Sequence, residues 1–542
     1  MGTTDQRRPD TSKGHGQPVA GPALPRLLAA LQRPDGFPHP VDGFTLLETH
    51  ISFVLLTGPY AYKFKKPVDL GFLDFSTLEK RRFYCHEELR LNRRLAPELY
   101  EAVVAITGTP EQPVLDGEGP AIEYAVRMRQ FAVDARLDLV SDRGGLGENH
   151  IDQLATDVAA FHRRAAVAAA DGPFGTPAGV EARVIENFKQ IQAHCDDREL
   201  LLRLPPLHVW SMTAGEEIRE DLELRRREGW IRECHGDMHL ANMALIDDRV
   251  VLFDALEFSA DLRWIDPLSE IAFVYMDLDH RGHRALARRF LNNYLEAAND
   301  YQSLNLFRYY LVYRALVRAK VAAIAAHQHA GDPGHRAQEL ATFAGYLDRA
   351  ASYCANPAPA PLILMHGLSG SGKSWLARQL VEALGAIRIR SDVERRRLLG
   401  MAPEEATDSG IASGAYSPGI TRKTYQRLQA LAYPILDAGF PAIIDATCLL
   451  RSQRAPLQRF AAVAGVPWVL LDVQAPEAVL RERITRRHRD ERDASEATLA
   501  VLDHQLASAE PLTLDEQRHR IVVDTTGPID FDTLARAIMA RG

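Results

Sequence analysis

Strand-like and helix-like spacing alternate along this chain and divide it into two halves of different character. From Thr45 to Thr57 the pattern is that of a strand. Gly58-Pro59 punctuates it, Ala61 to Lys66 follows as a second strand, and Ala121 to Gln130 continues the sheet. Alternation puts Tyr62 and Phe64 on one face of the second strand and Lys63 and Lys65 on the other. Ser76 to Leu95 carries helical spacing, with Glu88 inside the apolar stripe of Tyr84, Leu91 and Leu95. After Gly144-Gly145 the chain turns mainly helical, at Asp152 to Ala169, Val180 to Ala193 and Gly215 to Glu228.

The second half alternates strand and helix. Strands are expected at Leu362 to Met365, Ala386 to Arg390, Phe440 to Asp445 and Val466 to Val473, with helices at Trp375 to Leu384, Thr421 to Ala438 and Ala478 to Arg492. That order predicts a doubly wound α/β unit with a parallel sheet, behind a front half of mixed α+β type. Residues 1–40 are rich in Gly, Pro and polar residues and read as a flexible tail, although Pro25 to Leu31 fits a short helix. The expected division is a tail at 1–40, a front domain at 41–352, a Pro/Ala linker at 353–361 and a rear domain at 362–542.

At 542 residues the chain is too long for one core. Its 64 Lys+Arg against 72 Asp+Glu give a mildly acidic balance and no global footprint for nucleic acid or an anionic membrane. No apolar run approaches bilayer length and no leader is evident, so a cytoplasmic protein is expected. Five scattered cysteines show no metal or disulfide spacing.

Two constellations carry chemistry. After the Leu362 run comes Gly367-Leu-Ser369-Gly370-Ser371-Gly372-Lys373-Ser374, a G-x-x-x-x-G-K-S loop between a strand and a helix. Its glycines let successive N–H groups turn inward on phosphate, Lys373 reaches the β/γ-phosphates and the Ser374 hydroxyl ligates Mg²⁺. Asp445 closes a later strand, where a Mg²⁺-water ligand belongs in such sites. The second constellation is His235-Gly-Asp237-Met-His-Leu-Ala-Asn242, followed by a hairpin ending in Asp254. Asp-x-x-x-x-Asn and then Asp is the order of a kinase catalytic loop, one acid facing the acceptor hydroxyl and the other two groups holding Mg²⁺.

His235 to Asn242 resembles the H-G-D-x-H-x-x-N signature of aminoglycoside phosphotransferase-like kinases, and the likeness runs over roughly Gly43 to Ala350, including the helical stretch Tyr309 to Lys320. The resemblance implies a bilobal protein-kinase-like fold. It makes Asp237 the acceptor-side acid, Asn242 and Asp254 metal ligands, and Lys63 with Glu88 the pair that orients nucleotide phosphates, with Lys65 the alternative lysine. The turn Thr57-Gly58-Pro59-Tyr60 departs from the glycine-rich cover of many kinases, which leaves open a degenerate front domain used for binding.

From Pro361 onward the chain resembles P-loop kinases such as polynucleotide kinases, gluconate kinase-like enzymes and zeta-type toxins. Asp392 and Arg395 keep the D-x-x-R spacing that polynucleotide kinases use at the acceptor hydroxyl, Asp445-Ala-Thr447 with Arg454 looks like their D-x-[TN] segment, and Arg483 or Arg487 stands where a lid arginine would. The tandem resembles a bacterial fusion family. It implies ATP and Mg²⁺ at both sites and small-molecule hydroxyl acceptors.

Overall fold

The computed structural model describes residues 23–71, 73–355, 359–401, 414–490 and 498–541, the side chains of 487–490 excepted. The small lobe runs through α1 (Ala23–Leu31), β1 (Thr45–Glu48), β2 (Ser52–Leu56), β3 (Tyr60–Lys65), α2 (Leu78–Asn92), β4 (Tyr100–Thr109), β5 (Gln112–Leu115) and β6 (Glu123–Arg129). Its antiparallel sheet has the order β1-β2-β3-β6-β4-β5. Leu24, Leu27, Leu28 and Leu31 of α1, spaced along one helical face, bury against Leu55, Tyr62, Phe64 and Ile106. The expected tail is thereby corrected: residues 23–31 belong to this lobe, and 1–22 lie outside the described residues. α2 covers the other face, with Cys85 packed near Tyr100 and Val126, and starts at Thr77, whose Oγ1 accepts from Lys80 N at 3.2 Å.

The run Thr45 to Thr57 is not one strand. Thr49 Oγ1 accepts from Ser52 N at 3.0 Å, and the chain doubles back so that Leu46 pairs with Leu55. The expected helix over 215–228 likewise divides, into Leu204–Glu217 and Arg219–Arg227.

The large lobe is built on α3 (Glu148–Arg164), the hairpin β7 (Met243–Ile246) and β8 (Arg249–Leu252), and then α4 (Pro267–His280), α5 (Arg284–Ala298), α6 (Asn305–Gln328) and α7 (Pro333–Cys354). Two polar knots sit in its core. Arg225, with a side chain 1% exposed, donates Nη1 and Nη2 to Asp300 at 2.8 and 2.9 Å and Nη2 to Asp266 at 2.8 Å. Glu270 of α4 accepts from His162 Nε2 at 2.9 Å, from His235 N at 3.0 Å and from Gly236 N at 2.6 Å. Burial alone would raise the Glu270 carboxyl, but His162 and the loop donors outweigh it and hold the group down to about 2.

The rear domain holds β9 (Leu362–His366), α8 (Lys373–Leu384), β10 (Ile387–Arg390), α9 (Ser391–Leu398), α10 (Pro418–Asp437), β11 (Ala442–Asp445), α11 (Arg451–Ala464), β12 (Trp468–Gln474), α12 (Glu477–Asp490), α13 (Leu499–Ser508), β13 (Arg520–Asp524) and α14 (Phe531–Arg541). Its sheet is parallel throughout, in the order β10-β11-β9-β12-β13. Alternation sorts the faces. Ile363 and Met365 bury with Leu376, Leu380 and Ile538 of α8 and α14, whereas Leu362 and Leu364 bury with Leu428, Ile435 and Leu457 of α10 and α11.

The Pro/Ala segment does not hold the two domains apart. α7 continues to Cys354, residues 356–358 of the linker lie outside the described residues, and one apolar cluster runs from the large lobe into the α10 side of the rear sheet. Arg288 of α5 donates to the carbonyls of Glu382 and Ala383 at 2.8 and 2.7 Å, capping the end of α8 from the other domain. Arg289 beside it joins Asp152 and Glu148 of α3 to Glu382 of α8.

Replacing Arg225 by Leu strands two buried carboxylates and is expected to cost about 3–5 kcal/mol in denaturant unfolding followed by circular dichroism. Because the folded Glu270 carboxyl lies below its ordinary value of 4.5, its stabilisation is complete above that pH and is lost as the pH falls toward about 2. The melting temperature of Glu270→Gln should therefore lie below wild type at pH 7, by the equivalent of about 1–3 kcal/mol, and the gap should close between pH 4.5 and 2.

Candidate active sites

The front site lies where β3, α2 and the β7–β8 hairpin meet. Sheet register sends Lys63 and Lys65 toward α2, and Glu88, fully buried there, receives both: Lys63 Nζ at 2.8 Å on one oxygen and Lys65 Nζ at 2.7 Å on the other. The lysines then part. Lys63 reaches Asp254 at 2.5 Å, whereas Lys65 pairs with buried Glu257 and stands over the Phe75 ring. Lys63 thus faces the expected metal acid, and Lys65, with no exposed side-chain surface, is a packing cation. Burial opposes the charge on Lys63, but Asp254 and Glu88 overcome it and raise its pKa well above the ordinary lysine value. Three carboxylates around two ammoniums leave one acid less favoured, and burial pushes Glu257 up.

The loop from His235 to Asn242 is fixed from several sides. Glu270 grips the amides of His235 and Gly236, Arg314 of α6 donates to Gly236 O at 3.2 Å, and Leu240 N donates to Asp277 at 2.8 Å. Gly236 has φ +91 and lies under Leu256, Leu262 and Arg263, so a side chain there meets both strain and contact. Asn242 Nδ2 donates to Asp237 Oδ2 at 2.9 Å, and His239 Nε2 stands 3.3 Å from the same oxygen. Phe253 N donates to Asn242 O at 3.0 Å, so the β7–β8 register places Asn242 beside the residue preceding Asp254. Asp254 has φ +63, and its amide donates to Tyr100 Oη at 3.1 Å. Burial would raise Asp237, but His239, Arg318 and His235 hold it well below the usual carboxylate range.

The rear site opens at the carboxyl ends of β9 and β11. Gly367, Gly370 and Gly372 have φ of +144, +82 and +92. A Cβ on Gly367 would come within 2.4 Å of Val473 O, and one on Gly370 within 2.8 Å of Leu480 O, so the loop is wound tightly enough to admit only glycine. Lys373 Nζ donates to Leu368 O at 2.7 Å, Ser369 N donates to Gln505 of α13 at 2.8 Å, and the Ser371 hydroxyl is buried without a hydrogen-bond partner. Ser374 Oγ donates to Asp445 Oδ1 at 3.2 Å, while Asp445 Oδ2 is buried with no hydrogen-bond partner among the described residues. A hydroxyl against a carboxylate with a spare buried oxygen fits a hydrated divalent cation.

Across the cleft Arg395 Nη1 holds Asp392 at 2.8 Å and its guanidinium lies over the Tyr416 ring. Arg483 of α12 donates to Thr525 Oγ1 at 2.8 Å and Gly370 O at 3.3 Å, so it stands against the phosphate loop. The Arg487 side chain lies outside the described residues. Arg454 is fully buried on Glu516 and on the carbonyls of Cys448 and Leu449, where it braces the segment after Asp445.

Sequence reasoning passed over Glu257, Glu270, Tyr100 and Arg388. All but Tyr100 had a signal: an acid or arginine inside an apolar run implies a buried counter-charge, as in Ile387-Arg388-Ile389. Nothing in the spacing names the partner.

Residues 83–307 match a family model described as Phosphotransferase enzyme family, and residues 362–512 match one described as AAA domain. An uncharacterized protein of Mycobacterium tuberculosis is 31% identical over 496 residues, 90% of this chain and 94% of its own, and one of Mycobacterium bovis matches to the same extent. Among solved structures, the amicoumacin kinase hAmiN in complex with AMP-PNP, Ca²⁺ and Ami is similar at 13% identity and TM-score 0.37, over 60% of this chain and 91% of that one. A gluconokinase from Sinorhizobium meliloti is similar at 24% identity and TM-score 0.24, over 34% of this chain and 94% of that one. Matched along nearly all of its length, the chain belongs to the family of these mycobacterial proteins and carries a phosphotransferase-family kinase domain ahead of a P-loop kinase domain.

Proposed function

We propose that both domains transfer the γ-phosphate of ATP to hydroxyl groups of small molecules, each with its own Mg²⁺. The observations that carry this reading are, in the front domain, Asp237 hydrogen-bonded to Asn242 while Lys63 joins Glu88 to Asp254, and, in the rear domain, the Ser374 hydroxyl against Asp445 while Arg395 holds Asp392. Asn242 with Asp254 and Ser374 with Asp445 would hold the Mg²⁺, which would offset charge on the transferring phosphate.

The chain's own residues do the rest. In the front domain Lys63, held by Glu88, orients phosphate, and Asp237 accepts a hydrogen bond from the acceptor hydroxyl and aligns it. Asp237 then takes the proton that the hydroxyl gives up as the new P–O bond forms. In the rear domain the loop amides and Lys373 cradle phosphate, Arg483 closes one side, and Asp392 receives the acceptor proton while Arg395 fixes its carboxylate.

In an assay of phosphate transfer from labelled ATP to a metabolite panel, Asp237→Asn and Asp392→Asn should each remove one acceptor-dependent activity, by about 10²-fold or more, and leave the other. If Asp237→Asn alters only ligand affinity, the front half is a binding module.

A further inference from the structure

Two carboxylates from different domains share one arginine. The Arg388 side chain in β10, 8% exposed, lies between Glu296 of α5 and Asp445 at the end of β11, with Nη2 to Glu296 Oε2 at 3.8 Å and Nη1 to Asp445 Oδ2 at 3.9 Å. Nη1 also donates to the carbonyl of Ser374 at 3.3 Å. The backbone of Arg388 is tied to the same helix, its amide donating to Asn292 Oδ1 at 2.8 Å one turn before Glu296. Three atoms along this line, Glu296 Oε2, Arg388 Nε and Asp445 Oδ2, are buried without a hydrogen-bond partner among the described residues. A guanidinium almost equidistant from two acids makes a full hydrogen bond with neither.

The balance has a direction. A buried cation needs counter-charge, and here part of it comes from outside the P-loop domain. Glu296 is itself pinned, its Oε1 lying 3.4 Å from Arg390 Nη1 and its carbonyl accepting from Arg397. If its charge is removed, Asp445 becomes the nearest acid left to Arg388, and a move of about 1 Å closes a direct charge-assisted pair. That pair would occupy the carboxylate oxygen which Asp445 otherwise offers beside Ser374.

We propose that Glu296, acting through Arg388, is a positioning residue for the cation end of the P-loop site, so that the kinase-like domain sets the Mg²⁺ affinity of the P-loop domain. The proposal rests on the reading of Ser374 and Asp445 as that cation end.

The test uses the full chain in an Asp254→Asn background, which silences the front cation site. The readout is the Mg²⁺ concentration giving half-maximal binding of a fluorescent non-hydrolysable ATP analogue. Glu296→Gln should raise that concentration by about tenfold or more, as loss of a group supporting a metal ligand does. Glu296→Asp, which keeps the charge, should shift it far less. Adding Arg388→Gln to Glu296→Gln should bring it back to within about threefold of the parent, because the competing cation is gone. An unchanged titration in Glu296→Gln, or a double variant as weak as the single one, overturns the proposal and leaves the P-loop site intact. If Asp445→Asn and Lys373→Met also leave the titration unchanged, the reading of the site itself fails and the proposal falls with it.

Discussion

An ammonium with no water around it must be given carboxylates, and much of this molecule follows from that requirement. Lys65 is wholly buried and has two, Glu88 from α2 and Glu257 from the segment after the β7–β8 hairpin. Those contacts tie β3 to α2 and the small lobe to the large one. They also leave the second oxygen of Glu88 to Lys63, which is how Lys63 comes to face Asp254. The front cleft is therefore a by-product of charge compensation: the buried lysine locks the helix, and the locked helix aims the other lysine.

The same constraint operates between the domains. Arg288, Arg289 and Arg388 each carry charge into a packed interface, and each is met by acids or carbonyls across it. The cap that Arg288 places on α8 means that the helix whose N-terminus forms the phosphate loop is finished at its C-terminus by the other domain. With the apolar cluster continuous across the boundary, the chain is built as one body rather than as two enzymes on a string.

What could be read from the sequence was what local spacing dictates. The phosphate loop with its flanking strand and helix, the order Asp237, Asn242, Asp254, and the alternation that set Lys63 and Lys65 on one face all depend on near neighbours. Glu88 was singled out as an acid in an apolar stripe, and its two lysines lie 25 and 23 positions away, close enough to be guessed. Which of Lys63 and Lys65 would face Asp254 was not legible, because it turns on Glu257, far along the chain and near only after folding. α1 was hidden by a Gly- and Pro-rich setting, although its four leucines already formed a stripe. Strands β4 and β5 went unassigned, and the Glu296–Arg388–Asp445 line could not be anticipated, since it exists only where two domains pack.

The central claim is that one polypeptide holds two separate pockets for ATP with a divalent cation. Calorimetric titration of the full chain with a non-hydrolysable ATP analogue and Mg²⁺ tests it most directly. Two equivalents should bind, with Lys373→Met and Asp254→Asn each removing a different one and the double variant removing both. A single equivalent, or two that survive both substitutions, would contradict the account.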